Sequence, residues 1–304
     1  HRLVGRGFKV IDAFSRIIRL GEGVTTSGLL SEAAMTRTVD ALRVCAAKIG
    51  RHQVRRSRLV ATEACRIAQN GEEFLKRVTR ELGLGIEIVD RETEARLAVA
   101  GCASLIEANA DLVLVFDIGG GSSELIWLDL SRRRSNQRRT LADRIDVQNC
   151  IVAWTSLPVG VVTLAERFDG RFVDQAIFES MVGHVTSLLD PFEREHGIGQ
   201  RLVGRAVHML GTSGTVTTLA GVHLGLPRYD RNRVDGCWLE TSDISRVIET
   251  LLQSTQEQRI AQPCIGRERA DLVLAGCAIL DALLRLWPCE RLRVADRGLR
   301  EGIL

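Results

Sequence analysis

The sequence predicts an α/β fold. Short apolar runs of strand length alternate along the chain with amphipathic stretches of helical period. At 304 residues it is long enough for a large core split over two domains. Its 45% hydrophobic and 26% charged residues are ordinary for a globular protein.

The elements follow in order. Two short apolar runs over 8–20 read as strand-like. Ser31 opens a helix with Met35, Val39, Leu42, Ala46 and Ile49 on one face, and Gly50 closes it. Residues 57–62 are a strand candidate. Asn70 and Glu73 make a capping box ahead of Phe74, Leu75, Val78 and Leu82. A short strand spans 86–89, and Asp90 then caps a helix reaching about residue 105. The domain boundary is expected near 109–112, giving domains 1–110 and 111–304. Strands at 112–116 and 124–130 form a hairpin around three glycines. A strand at 154–157 passes through Pro158 and Gly160 into a helix with Leu164 and Phe168. A longer helix covers about 173–189. The strand 207–210 runs into a glycine-hydroxyl loop and a helix over 216–224. Helices near 242–252 and 268–287, a strand at 291–294 and a helical segment at 299–304 complete the chain.

Composition narrows the setting. No apolar stretch approaches the roughly 18 residues that span a membrane. No charged segment followed by an apolar one, as in a signal peptide, opens the sequence. The eight cysteines contain no Cys-x-x-Cys pair, so zinc and redox sites lack support. Several lie in apolar helical stretches, where cysteine acts as a small hydrophobe. They read as reduced and structural, which points to the cytoplasm. The net charge of +3 is mild, and the basic residues are nearly all arginine. The densest run, 132–139, reads as a solvated loop, with a polyanion-attracting patch as the sharper alternative. The six histidines show no ligand spacing, and His208 reads as a core residue.

The most informative stretch is Asp-Ile-Gly-Gly-Gly-Ser-Ser-Glu at 117–124. Gly119, Gly120 and Gly121 lack a Cβ, so the backbone can turn tightly and approach a ligand closely. Amides lining such a turn make a concave anion site, to which Ser122 and Ser123 add hydroxyls. Asp117 and Glu124 bring carboxylates to the same place, which makes sense if a hard cation such as Mg²⁺, or another divalent cation, sits between them and a phosphate. A second loop, Gly211, Thr212, Ser213, Gly214 and Thr215, is delivered by a strand and opens a helix, whose free amides and dipole favour anions. An ordinary strand-to-helix turn is the plainer reading of that loop alone; two such loops together can clamp one phosphate chain. Glu92 and Glu94 lie on different faces of the helix after the strand at 86–89. One could take a proton from attacking water, although a solvated first turn explains both acids equally.

Taken together, these residues resemble the Ppx/GppA (exopolyphosphatase / guanosine pentaphosphate phosphohydrolase) family of the actin-like ATPase superfamily. The matching pieces are 61–66, 86–97, 117–125, 211–218 and 296–304, in the family's order over nearly the whole chain. The resemblance implies an α/β chain with two actin-like (ribonuclease H-like) domains and an interdomain cleft. It implies removal of the terminal phosphate of inorganic polyphosphate or of guanosine pentaphosphate. The family's catalytic base falls on Glu94, its metal ligands on Asp117 and Glu124, and its phosphate loops on 119–123 and 211–215. Arg66 joins them as a phosphate ligand facing the cleft. The implied partners are polyphosphate or guanosine penta- or tetraphosphate, not DNA or a membrane, with a homodimer as the assembly. The chain also departs from the family pattern. A further phosphate loop precedes the Arg-Leu-Val strand in the family, whereas this sequence begins at His1, directly before Arg2, Leu3 and Val4. Its end resembles the short, two-domain members. Two other readings use the same loops: a sensor of the guanosine polyphosphates with slow turnover, and an actin-like ATP kinase or ATPase, against which Glu94 and the C-terminal segment count.

Overall fold

The computed structural model describes residues 2–4, 7–107, 109–132, 147 and 149–303. The basic run at 132–139 lies outside the described residues except for the backbone of Arg132. The chain forms two compact units, His1–Val89 and Asp90–Leu304.

In the first unit, β1 (Arg2–Val4) and β2 (Gly7–Lys9) pair antiparallel. Beyond them, 10–19 holds no regular structure, so the expected strand over 8–20 forms only at its start. The helices are α1 (Val24–Ser27), α2 (Glu32–Arg51), α3 (Glu63–Ile67) and α4 (Gly71–Leu82). The strands β3 (Val60–Ala61) and β4 (Glu87–Ile88) pair parallel. Ser31 caps α2 as expected, its Oγ accepting from the Ala34 amide at 3.2 Å. The capping box expected at Asn70 is not made. That side chain instead accepts from the Leu30 amide at 2.8 Å and donates to the Leu30 carbonyl at 3.0 Å. Both ends of its amide are thus spent on a neighbouring segment. Phe74, Leu75 and Val78 of α4 pack with Val39 of α2 in the core of this unit.

The second unit is built on one six-stranded sheet in the order β7-β6-β5-β8-β10-β9. Its strands are β5 (Leu112–Ile118), β6 (Ser123–Asp129), β7 (Ile151–Leu157), β8 (Val207–Thr212), β9 (Trp238–Glu240) and β10 (Arg291–Ala295). Strands β5, β8 and β10 run parallel, and β6, β7 and β9 pair antiparallel with their neighbours. The helices are α5 (Arg91–Cys102), α6 (Val161–Phe168), α7 (Gln175–His196), α8 (Ile198–Leu202), α9 (Gly214–His223), α10 (Arg231–Val234), α11 (Thr241–Gln253), α12 (Gln256–Ala261), α13 (Val273–Leu286) and α14 (Leu299–Gly302). Helix α7 passes the expected stop at 189 and continues through Pro191, with Leu189 and Phe192 buried on either side.

Period-2 alternation divides the sheet between two cores. Leu112, Leu114, Phe116 and Ile118 of β5, with Leu125 and Trp127 of β6, belong to the larger one, which includes residues of α6, α7 and α13. Val113, Val115, Ile126, Leu128 and Leu210 face the other way and pack with Ala95, Val99 and Cys102 of α5. Helix α5 is therefore part of the second unit. The expected boundary near 109–112 puts it in the first domain.

Candidate active site

The same alternation decides where the polar residues at the strand ends point. Asp117 follows Val113 and Val115 on the α5 face of β5. Glu124 shares that face with Ile126 and Leu128, and Thr212 shares it with Leu210. Register then sets them level. Asp117 stands opposite Glu124 on one side and Thr212 on the other, and Glu124 stands opposite Ser156 of β7. The row Ser156, Glu124, Asp117, Thr212 thus crosses four adjacent strands on one face. Directly opposed residues on paired strands hold their Cβ atoms about 5 Å apart, so the two carboxylates are neighbours by construction.

Glu124 is almost fully buried and accepts from Ser122 Oγ at 2.7 Å and Ser156 Oγ at 3.0 Å, both on Oε1. Asp117 has its carboxyl pushed up to about 7, first by burial, then by the charges of Glu124 and Glu94. Glu94 is therefore the acid of α5 that reaches this site electrostatically. It is half-buried, whereas Glu92 is exposed and holds Arg96 at 3.0 and 2.8 Å in an i, i+4 pair. Asp90 caps the helix as expected, accepting from the Thr93 amide at 2.7 Å.

The glycine loop joins β5 and β6, and its Gly119 amide donates to the Ser122 carbonyl at 2.9 Å. None of its three glycines has a positive φ, and at Gly119 close approach rather than a left-handed turn is what requires glycine. A Cβ on Gly119 would stand 2.9 Å from the Ser122 carbonyl oxygen. The loop carbonyls are held from below by α6. The Val161 amide donates to Gly119 and the Val162 amide to Gly120, both at 2.9 Å. Because a trans peptide sets N–H and C=O on opposite sides, this turns the amides of Gly120 and Gly121 away from α6. Gly160, expected only to lead from the strand into a helix, makes the seat possible. A Cβ there would stand 2.5 Å from the Gly119 carbonyl oxygen.

At the second loop, Ser213 adopts φ 117°, ψ 168°, a conformation otherwise almost confined to glycine. Its buried Oγ has no hydrogen-bond partner among the described residues. The loop leads directly into α9, whose first amides face the loop end rather than carbonyls of their own helix. Three of the other candidate hydroxyls are hydrogen-bonded. Ser122 serves Glu124, Ser123 donates to the Val159 carbonyl at 2.7 Å on the opposite face of the sheet, and Thr212 donates to the Arg297 carbonyl at 2.8 Å. Thr215 packs its side chain against Gly276 of α13. What the loops present to an anion is thus mainly backbone amides, with Ser213 Oγ as a buried hydroxyl without a partner among the described residues. One cation missed by the sequence reading lies at this loop. The Arg269 guanidinium carbon would stand 3.5 Å from a Cβ on Gly214, and its Nη1 donates to Thr218 Oγ1 at 2.9 Å. No motif surrounds Arg269, so the sequence carried no cue to it. Arg66 belongs to the other unit, where its guanidinium is tied to Glu63 at 2.6 and 3.1 Å and to the Val89 carbonyl at 2.5 Å.

Two oxygen donors side by side, one accepting from two serine hydroxyls and one whose charge is disfavoured by burial and by its neighbours' charge, suit a hard divalent cation. Among the described residues no group of three or more His, Cys, Asp and Glu is arranged to hold a metal ion. Asp117 and Glu124 are the two carboxylates that could hold such a cation. Among the described residues, no helix is long and apolar enough to cross a membrane.

The model of the Ppx/GppA phosphatase family matches residues 2–304. A Haemophilus influenzae protein with the provisional name exopolyphosphatase is 26% identical over all of this chain and 85% of its own length. The guanosine-5'-triphosphate,3'-diphosphate pyrophosphatase of Photobacterium profundum is 27% identical over the whole chain, which spans 55% of that longer protein. The crystal structure of an exopolyphosphatase-like protein superposes with a TM-score of 0.82 at 28% identity, covering 97% of this chain and 91% of the other.

Proposed function

Since the chain belongs to the Ppx/GppA phosphatase family, we propose that it hydrolyses the terminal phosphoanhydride bond of inorganic polyphosphate or of guanosine pentaphosphate. The observation that carries the reading is the level row of Glu124, Asp117 and Thr212 with the charge of Glu94 acting on Asp117. In this reading Glu94 takes the proton of the attacking water. The amides of Gly120, Gly121 and the start of α9, with Arg269 and Ser213 Oγ, hold the phosphoryl oxygens as charge spreads over them. Asp117 and Glu124 would hold Mg²⁺, which when bound neutralises phosphate charge. Ser122 and Ser156 keep Glu124 oriented for that role.

The test is phosphate release by the full-length protein from both substrates, with and without Mg²⁺. The expected result is Mg²⁺-dependent release that Glu94→Gln lowers by roughly 10²–10⁴-fold. Wild-type release by Glu94→Gln would remove Glu94 from its role. Tight binding of guanosine tetraphosphate with no release from either substrate would replace hydrolysis by sensing.

A further inference from the structure

The C-terminal segment 296–302 makes three kinds of contact that no role in substrate binding accounts for. It is packed backbone to backbone on α5. A Cβ on Gly101 would collide with the Gly298 carbonyl, and one on Gly302 would collide with the Leu97 carbonyl. Leu97 and Gly101 lie one turn apart on one stripe of α5, and Glu94 lies at the N-terminal end of the same stripe. The second contact is the Arg297 carbonyl, which accepts from Cys102 Sγ at 3.1 Å and from Thr212 Oγ1 at 2.8 Å. One backbone oxygen therefore joins the end of the helix bearing Glu94 to the loop at the end of β8. Gly298 sits in the same gap, where a Cβ would stand 2.9 Å from Thr212 Oγ1. Third, the segment is itself anchored. Asp235 accepts from Arg297 Nε at 3.1 and 3.0 Å and from the Asp296 amide at 3.0 Å, and Glu301 accepts from the Gly298 amide at 2.9 Å.

We propose that residues 296–302 are a positioning element that sets the height of Glu94 over the phosphate loop, by registering α5 against the end of β8. The proposal rests on the reading of Glu94 as the base. Its physical basis is that glycines at 101 and 302 remove the side chains that would hold the two backbones apart, so the spacing is set by carbonyl contact rather than by adaptable side chains, while Gly298 leaves room for Thr212. A displacement of about 1 Å in a reacting group can lower a rate by roughly 10²-fold.

The experiment measures kcat and KM for phosphate release in Gly302→Ala, beside Glu94→Gln and the control Gly183→Ala. Gly183 lies in α7 with open space around it. Gly302→Ala should lower kcat by about tenfold or more while KM stays near the wild-type value, and Gly183→Ala should match wild type. A raised KM at unchanged kcat, or no change in either, overturns the proposal. If Gly302→Ala does not fold, the pair Cys102→Ala and Cys102→Ser decides. Loss of kcat in Cys102→Ala with recovery in Cys102→Ser, which restores a donor to the Arg297 carbonyl, supports the proposal. Wild-type kcat in both, or equal loss in both, overturns it. Full activity in Glu94→Gln would instead overturn the reading of the site on which the proposal rests.

Discussion

At the scale of single residues, Asp117 carries a measurable signature. Its folded-state pKa, raised to about 7, lies above the roughly 3.9 of an unfolded aspartate. Between those values the folded chain binds the extra proton, so stability is present at low pH and is lost as pH climbs toward 7. Each pKa unit corresponds to about 1.4 kcal/mol. We predict that, in a chelator, wild type loses melting temperature from pH 5 to pH 8 relative to Asp117→Asn, and that Mg²⁺ restores the loss at pH 8. Parallel pH slopes for the two proteins would refute this. Burial lowers the pKa of His208, which opposes the trend at acid pH, but it does so in both proteins and cancels in the comparison. The identity of the acidic pair was legible from its hairpin spacing. From spacing alone the choice between Glu92 and Glu94 was not, because a first helical turn accepts acids on either face; only the family resemblance pointed to Glu94. The structure separates them by partner: Arg96 holds Glu92, whereas Glu94 acts on Asp117.

At the scale of elements, the apolar runs on either side of the Gly-Gly-Gly turn made the hairpin legible, and the turn sits where the two strands meet in register. What presses on that turn was not legible. The seat formed by Gly160 and the first amides of α6 joins segments distant in sequence, and Pro158-Val159-Gly160 looks like any connection. The unmade capping box at Asn70 has a similar cause, since a tertiary partner, Leu30, outbids the local one. For Gly160→Ala we expect a stability loss of about 1–3 kcal/mol, the usual size for an overpacked contact. Phosphate release should fall with it, because the Gly120 and Gly121 amides are aimed from that seat. Urea unfolding alongside the release assay checks both effects, and unchanged stability would show that the loop carbonyls are not clamped as described.

At the scale of the whole molecule, two units with separate cores place the chemistry unevenly. Glu94, Asp117, Glu124, Ser213 and Arg269 all belong to Asp90–Leu304, and Arg66 alone of the expected ligands belongs to His1–Val89. The α/β class was legible in the sequence because strand-length apolar runs alternate with helical patterns. The allegiance of α5 was not, because its apolar stripe could serve a sheet on either side of it in sequence; burial of Ala95, Val99 and Cys102 against β5, β6 and β8 decides it. Concentrating the site in one unit makes ligand-linked stability a test of the whole arrangement. A ligand that binds only the folded state at 100 times its Kd adds about 2.7 kcal/mol. For a unit of this size, each kcal/mol raises the melting temperature by roughly 2–4 °C. Mg²⁺ with inorganic triphosphate should therefore raise the transition by roughly 5–10 °C in scanning calorimetry, and triphosphate without the metal should raise it less. The double variant Asp117→Asn, Glu124→Gln should lose the metal-dependent part and keep a smaller shift from the amides and Arg269. An equal metal-dependent shift in that variant would move the cation away from the two strand ends, and with it the reason these carboxylates are set side by side.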